Sequence, residues 1–438
     1  MSDTMLRIER SGALTGSVEV AGAKNAVLVI IASLLLPRGK SVLTNVPCSD
    51  DVGQMMQLLT ALGAEVSFDK ETHTLTADTS MVCRSAVSAE LMKKMRASVL
   101  VMGPLLALMR KAEIALPGGC VIGSRPIDLH LKNFKKMGAV ITMDGESLTA
   151  SAENLHATTL VLDYPSVGAT ENILMAAVLT PGTTRLVNAA LEPEVMDLVC
   201  ILKKMGASIT IEAPATIRVE GVTELQAVHH EIMPDRLEAG SLLLAAAITG
   251  GDVHVVNAHA YDMDVFLLKL EEMGHTIIVG EGGRGIRLLA TQNPKAVSFK
   301  TSPYPGFPTD LQAPTMAALC LAEGVSVVEE LVFENRLVHV RELQKMGAQI
   351  SVDGNKATIT GVDALFGANV IASDIRASCA LVIAGMVAKG VTHMSGIHHW
   401  KRGYDALEVK LRALGGHVEY VEPSCVLPQD LTTIQPVK

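Results

Sequence analysis

The sequence predicts an α/β protein of two lobes, each a threefold repeat of a unit of about 70 residues in which buried helices fill the centre and sheets face outward. Three observations predict it. A short phrase recurs six times, as Leu62-Gly63-Ala64, Met137-Gly138-Ala139, Met205-Gly206-Ala207, Met273-Gly274-His275, Met346-Gly347-Ala348 and Leu414-Gly415-Gly416, at glycine-to-glycine intervals of 75, 68, 68, 73 and 68 residues. Each unit holds a stretch that is apolar nearly all round, clearest at 26–36, 242–248 and 380–387. Each phrase is followed by a run that alternates apolar and polar residues, a polar turn and a second run.

Each of these elements has a physical reason. The phrase closes an amphipathic stretch such as 197–204, with Lys or Arg near the end in most copies. Glycine just past the last helical turn supplies a left-handed cap. A helix apolar on every side must be enclosed by protein. Alternation with period two, as at 208–211 with 217–219 and at 349–352 with 358–360, gives strands with one buried and one wet face. Six units group as three plus three, with a boundary at 229–234. A continuous solenoid is the alternative, but helices this apolar are ill suited to line an open superhelix.

Composition narrows the function. The 438 residues are 49% apolar but only 3% aromatic, so the core rests on aliphatic side chains and the 21 Met, and disorder is excluded. This length suits roughly two to four domains. A net charge of −9 from 37 Lys+Arg and 46 Asp+Glu, without a basic tract or aromatic platforms, excludes a nucleic-acid binder. Apolar runs such as 26–36 fall short of the roughly 20 residues of a membrane span. That run also lies behind Asp3, Glu9, Glu19 and Lys24, too far in for a signal peptide, so a cytoplasmic protein without membrane insertion is expected. Seven cysteines without paired or metal-like spacing fit reduced thiols.

Polar residues recur at the starts of the apolar helices: Lys24-Asn25, Arg96, Ser166-Val167-Gly168, Asp235-Arg236, Asp310 and Asp374 with Arg376. Helix starts offer free N–H groups and a positive dipole end, so this set is suited to converge on an anion. Ordinary helix capping is the competing explanation for any one member. The 116–126 segment, with Gly118, Gly119, Gly123, Pro117, Pro126, Cys120 and Arg125, reads as a loop that its glycines allow to move. Glycine neighbours and Arg125 favour an exposed Cys120 with a lowered thiol pKa. Cys48, Cys83, Cys200, Cys320, Cys379 and Cys425 lack such surroundings and are expected to be structural. The 280–285 stretch fits G-x-G-x-x-G but leads into a strand rather than a helix, so it is no dinucleotide site. His229-His230 and His398-His399 are expected to point apart, and no metal site is expected.

Together with the sixfold unit, a set of dispersed motifs resembles the UDP-N-acetylglucosamine 1-carboxyvinyltransferase family of enolpyruvyl transferases, within the EPSP synthase superfamily. These are Ala23-Lys24-Asn25-Ala26, the Gly119-Cys120 loop with Arg125-Pro126-Ile127-Asp128-Leu129-His130, Pro165-Ser166-Val167-Gly168-Ala169-Thr170, Phe307-Pro308-Thr309-Asp310, Phe333-Glu334-Asn335-Arg336, Asp374-Ile375-Arg376-Ala377-Ser378 and Arg402-Gly403-Tyr404. The likeness runs from Arg7 to Val421. It implies a two-domain inside-out α/β barrel, with residues 1–22 completing a C-terminal lobe of 234–438 and an N-terminal lobe of 23–233 carrying the Cys120 loop.

The resemblance also implies the reaction: the enolpyruvyl group of phosphoenolpyruvate passes to the 3′-hydroxyl of UDP-N-acetylglucosamine through a tetrahedral intermediate, with loss of phosphate. This is the first committed step of peptidoglycan synthesis, and no metal or organic cofactor is implied. Cys120 resembles the family's general acid, with a thioketal as a side state, and Asp310 its base. Lys24, Arg125 and Arg402 match positions that hold the donor's phosphate, Arg336 and Arg376 the carboxylate side, and Asn25 the intermediate. Arg96, Arg125, Pro126, Ile127, Asp128, Leu129, His130, Ser166, Val167, Gly168, Asp310 and Val332 match contacts to the nucleotide sugar, and Asp374 belongs to the Arg376 motif. The likeness further implies covalent capture of Cys120 by an epoxide phosphonate such as fosfomycin. Tyr164 stands where some members have lysine near the diphosphate, and Leu100 where some have tryptophan. The tail 422–438 lies past the resemblance. Rivals are the sister transferase acting on shikimate 3-phosphate, whose family has no such cysteine loop, and a silent paralogue that binds the nucleotide sugar.

Overall fold

The computed structural model describes residues 4–94, 96–115 and 127–422, with side chains except at 93, 94 and 96. The described chain divides into two compact units, one of 4–21 with 234–422 and the other of 22–115 with 127–233.

One pattern of strands builds all six sheets. An edge strand runs parallel to its neighbour, and two further strands follow antiparallel. In the 22–233 unit, the sheets run His229–Glu231, Lys40–Thr44, Thr74–Asp78, Glu65–Asp69; then Thr159–Val161, Thr183–Val187, Thr216–Glu220, Ser208–Glu212; then Lys111–Ala115, Ser147–Ser151, Val140–Asp144. In the last of these a single parallel bridge, Ala86 to Glu113, occupies the edge place. Parallel neighbours need a crossover, and the apolar helices supply it: Val167–Ala177 joins Thr159–Val161 to Thr183–Val187.

The other unit repeats the pattern with strands taken from far apart in the chain. Thr15–Val18 is the parallel edge beside Asp252–His259, with Gly16 opposite Val253. Met5–Glu9 lies between Val391–Ser395 and His417–Val421, with Ile8 opposite both Thr392 and Val418. Phe299–Lys300, Val325–Glu329, Lys356–Thr360 and Gln349–Asp353 form the third sheet.

The central helices are buried along almost their whole length: 26–33 of Lys24–Ser33, 169–177 of Val167–Ala177, 236–247 of Arg236–Thr249, all of Gln312–Leu319 and 376–385 of Ile375–Gly385. Each enclosed Leu, Ile or Val contributes roughly 1.5–3 kcal/mol, which is what holds a nearly ring-free core together. Helices Arg236–Thr249, Gln312–Leu319 and Ile375–Gly385 pack pairwise on one another. In the 22–233 unit, Met102–Met109 packs on Val167–Ala177, while Lys24–Ser33 packs on the Arg96–Val101 turn and on Pro193–Lys204. All six phrase glycines sit past helix ends in the left-handed region, at φ 109°, 96°, 107°, 96°, 93° and 99°. Where the helices of that first pair cross, a Cβ on Gly103 would stand 2.2 Å from the Asn172 carbonyl oxygen, so only glycine permits the approach.

Two expectations change and a third holds. The His398 and His399 rings do not point apart but lie 4.0 Å from centroid to centroid, because the short helix Ile397–Gly403 leaves them side by side. Cys83 and Cys200 are exposed rather than part of the core, whereas Cys320 and Cys379 are buried. The 280–285 glycines form a hairpin turn between Thr276–Val279 and Arg284–Leu289, as their context requires. Among the described residues, no helix is long and apolar enough to cross a membrane.

Candidate functional site

In the 4–21/234–422 unit the starts of three central helices bring charged groups together. Asp310 lies in the turn Thr309–Leu311 that leads into Gln312–Leu319, and both its oxygens are held by arginines. Arg336 Nη2 donates to Oδ1 at 2.8 Å and Arg376 Nη2 to Oδ2 at 2.9 Å. The arginines are almost fully enclosed, at 3% and 4% exposure, while the Asp310 side chain is 22% exposed, so the carboxylate is the accessible member. Arg336 Nε is buried without a hydrogen-bond partner among the described residues. Burial pulls the Arg376 guanidinium down, but Asp310, Tyr404 and Asp235 outweigh it and raise its pKa, so it stays a cation.

Of the supports of this cluster, Glu330 and His339 were not singled out from the sequence, while Tyr404 closes the Arg402-Gly403-Tyr404 motif. Glu330, 2% exposed, accepts the Val332 and Phe333 N–H groups at 2.9 and 3.0 Å and the Thr309 hydroxyl at 2.9 Å, which fixes Val332 and the residue before Asp310. Tyr404 Oη accepts from Arg376 Nη1 at 3.2 Å. His339, whose Nδ1 lies 3.1 Å from the Arg336 carbonyl, has its pKa pushed down to about 4 by burial, so a neutral ring sits behind the arginine. A buried polar residue inside an apolar run was the sequence signal for Glu330 and His339. Asp374, by contrast, caps its helix by accepting from the Arg376 and Ala377 N–H groups at 2.8 and 3.1 Å. Capping also accounts for Asp235, which accepts from Leu237 and Glu238 N–H at 2.8 and 3.1 Å. Arg402 is half-buried on Ile397–Gly403.

In the 22–233 unit Lys24 opens its central helix, and its Nζ lies 2.8 Å from Oδ2 of Asp51, which is 2% exposed. Asn25 beside it is exposed. Ser166 caps Val167–Ala177 by accepting from Ala169 N–H at 3.4 Å, leaving Val167 and Gly168 half-buried on the first turn. His130, buried on helix Asp128–Lys136, faces Gly168, where a Cβ would come within 3.6 Å of Nε2. Its Nδ1 lies 3.1 Å from the Asn172 amide nitrogen, a donor, so Nδ1 accepts and Nε2 carries the hydrogen of the neutral ring. Asn172 also donates to Val99 C=O at 3.0 Å and accepts from Gly103 N–H at 2.6 Å. Ile127 is buried, Leu129 half-buried and Asp128 exposed. Cys120, Arg125 and Pro126 lie outside the described residues, as does the side chain of Arg96.

A carboxylate held by two enclosed guanidinia, and a lysine paired with a buried carboxylate, place cations beside central-helix starts in each unit. The sequence model of the family described as EPSP synthase (3-phosphoshikimate 1-carboxyvinyltransferase) matches residues 8–411. UDP-N-acetylglucosamine 1-carboxyvinyltransferase 1 of Caldanaerobacter subterraneus subsp. tengcongensis is 48% identical over 415 residues, 95% of this chain and 99% of that protein. The chain belongs to the UDP-N-acetylglucosamine 1-carboxyvinyltransferase family. Another member, numbered 2, from Carboxydothermus hydrogenoformans, is 49% identical over 94% of this chain and 98% of its own. The fold recurs in the enolpyruvyl transferase NikO from Streptomyces tendae, with a TM-score of 0.87 at 23% identity over 96% of this chain and 100% of that one. EPSP synthase from Acinetobacter baumannii shares it at a TM-score of 0.76 and 18% identity, again over 96% and 100%. The inside-out α/β fold expected from the repeat is thus the fold of the enolpyruvyl transferases. Of the two departures from the family pattern, Leu100 is buried at 6% exposure and serves packing, and Tyr164 is 40% exposed at the surface.

Proposed function

We propose that this protein transfers the enolpyruvyl group of phosphoenolpyruvate to the 3′-hydroxyl of UDP-N-acetylglucosamine and releases phosphate, the step that commits the sugar to peptidoglycan synthesis in the cytoplasm. The observation that carries the reading is the 46–49% identity, over about 95% of the chain, to relatives bearing that name. The Asp310 cluster supports it, since the reaction needs a base for a hydroxyl and cations for two anionic groups on the donor.

In the addition step the Cys120 thiol gives its proton to the donor's methylene carbon while the sugar oxygen bonds to the adjacent carbon, and Asp310 takes the hydroxyl proton. In the elimination step the Cys120 thiolate takes a proton back from the methyl group, the double bond re-forms and phosphate leaves. Lys24, Arg125 and Arg402 hold the phosphate, Arg336 and Arg376 the carboxylate, and Asn25 steadies the intermediate. The nucleotide sugar rests on Arg96, the 125–130 run, Ser166, Val167, Gly168 and Val332. The neutral His130, with Nε2–H toward Gly168, is a donor suited to that role.

Phosphate release measured with each acceptor tests the reading. Release with UDP-N-acetylglucosamine is expected, and release with shikimate 3-phosphate alone would overturn it. Cys120→Ser is expected to lower turnover about 10²–10⁴-fold while the nucleotide sugar still binds. Fosfomycin is expected to add its mass to the Cys120 peptide once, and an unmodified peptide would remove Cys120 from the mechanism.

A further inference from the structure

We infer that Tyr404 is a positioning residue for Arg376, fixed in turn by Ser241, and that this chain of hydroxyls sets how firmly the protein holds the donor's carboxylate. The inference rests on the function proposed above.

The polarity of the chain follows from counting donors. Ser241 lies on the central helix Arg236–Thr249, and its hydroxyl donates to the Leu237 carbonyl at 2.8 Å. With that hydrogen committed, the Ser241 oxygen can only accept from Tyr404 Oη, 3.4 Å away. The Tyr404 hydrogen is therefore directed toward Ser241 or the buried Cys379 thiol, which bonds both hydroxyls, and in either case the Tyr404 oxygen presents a lone pair to Arg376 Nη1 at 3.2 Å. Arg376 Nη2 is then aimed at Asp310 Oδ2 at 2.9 Å. One helix backbone thus orients a guanidinium through two neutral hydroxyls. The Tyr404 ring adds to this: the Arg376 guanidinium carbon stands 5.5 Å from its centroid, and Trp400 packs against it at 5.3 Å. Tyr404 is 4% exposed, and burial drives its phenol pKa upward, so the hydroxyl keeps its hydrogen. A guanidinium with Nη1 and Nη2 both anchored loses little freedom when a carboxylate arrives.

The test is Tyr404→Phe in the full-length protein, which keeps the ring and its packing and removes the hydroxyl. Loss of one bond to a charged group is expected to raise the KM for phosphoenolpyruvate about tenfold. Because Arg336 still holds Asp310 Oδ1, the KM for UDP-N-acetylglucosamine is expected to stay within about twofold. Ser241→Ala, which leaves Tyr404 in place but removes its acceptor, is expected to move the donor KM the same way by a smaller factor, and it decides the matter if the Phe variant misfolds. A donor KM unchanged in both variants, or both KM values rising while kcat and Tm fall, would overturn the positioning role. An inactive wild-type protein would instead overturn the proposed function, so the two failures are distinguishable.

Discussion

The two units are built on one pattern of strands and helices, yet they bury different chemistry at the same structural place. In the 4–21/234–422 unit three central helices pack pairwise, and Asp310 and Arg376 at the starts of two of them meet Arg336 of the 330–339 connection in a charged cluster. In the 22–233 unit the helix pair Met102–Met109 and Val167–Ala177 meets over a neutral amide, Asn172, bound to His130, Val99 and Gly103. Each unit also buries one glutamate early in a central helix. Glu238 has Lys410 as a partner, whereas Glu171 is driven well above the usual carboxylate range by burial and by nearby Glu194 and Glu192. The repeat therefore specifies where a polar group can be enclosed, and the individual side chain decides whether the result is an ion cluster or a neutral brace.

The sharpest way to break this comparison is to remove one cation. Arg376→Met leaves Asp310 with one of these two arginines and removes the cation proposed to hold the donor's carboxylate, so we expect a stability loss of about 3–5 kcal/mol in denaturant unfolding. Asn172→Ala strands three buried groups in the other unit and should lower stability by about 2–3 kcal/mol with the donor KM unaltered. The smallest effect concerns Glu238, whose pKa burial raises to about 7 against Lys410. The folded state then binds the extra proton between about pH 4.5 and 7, so this residue's contribution to stability falls as pH rises through that window. Glu238→Gln should flatten that part of the Tm–pH curve, and an unchanged slope would show that Glu238 does not titrate there.

What could be read from the sequence is what local geometry demands. A glycine past each amphipathic helix is required by a left-handed φ, so the six phrases mark six real caps. Helices apolar on every side can only be central, and alternation can only be a half-wet strand. Which side chains meet was not legible, because spacing makes positions equivalent without joining them. Asp310 finds its partners 26 and 66 residues away, and Ser241 meets Tyr404 across 163. Asp374 resembles a binding residue by its motif, and the structure adds that its Oδ1 caps its own helix by accepting two N–H groups. Asn172 was hidden inside an apolar run, although an amide there had to find buried partners.

The central claim is that the charged Asp310 cluster does chemistry while the neutral Asn172 cluster only braces the fold. Phosphate release by Asp310→Asn and Asn172→Ala, compared at a temperature where both are folded and both substrates are saturating, tests it most directly. Asp310→Asn should lose at least about 100-fold in kcat while Asn172→Ala stays close to wild type. Equal losses in the two variants, or turnover by Asp310→Asn within a few fold of wild type, would contradict it.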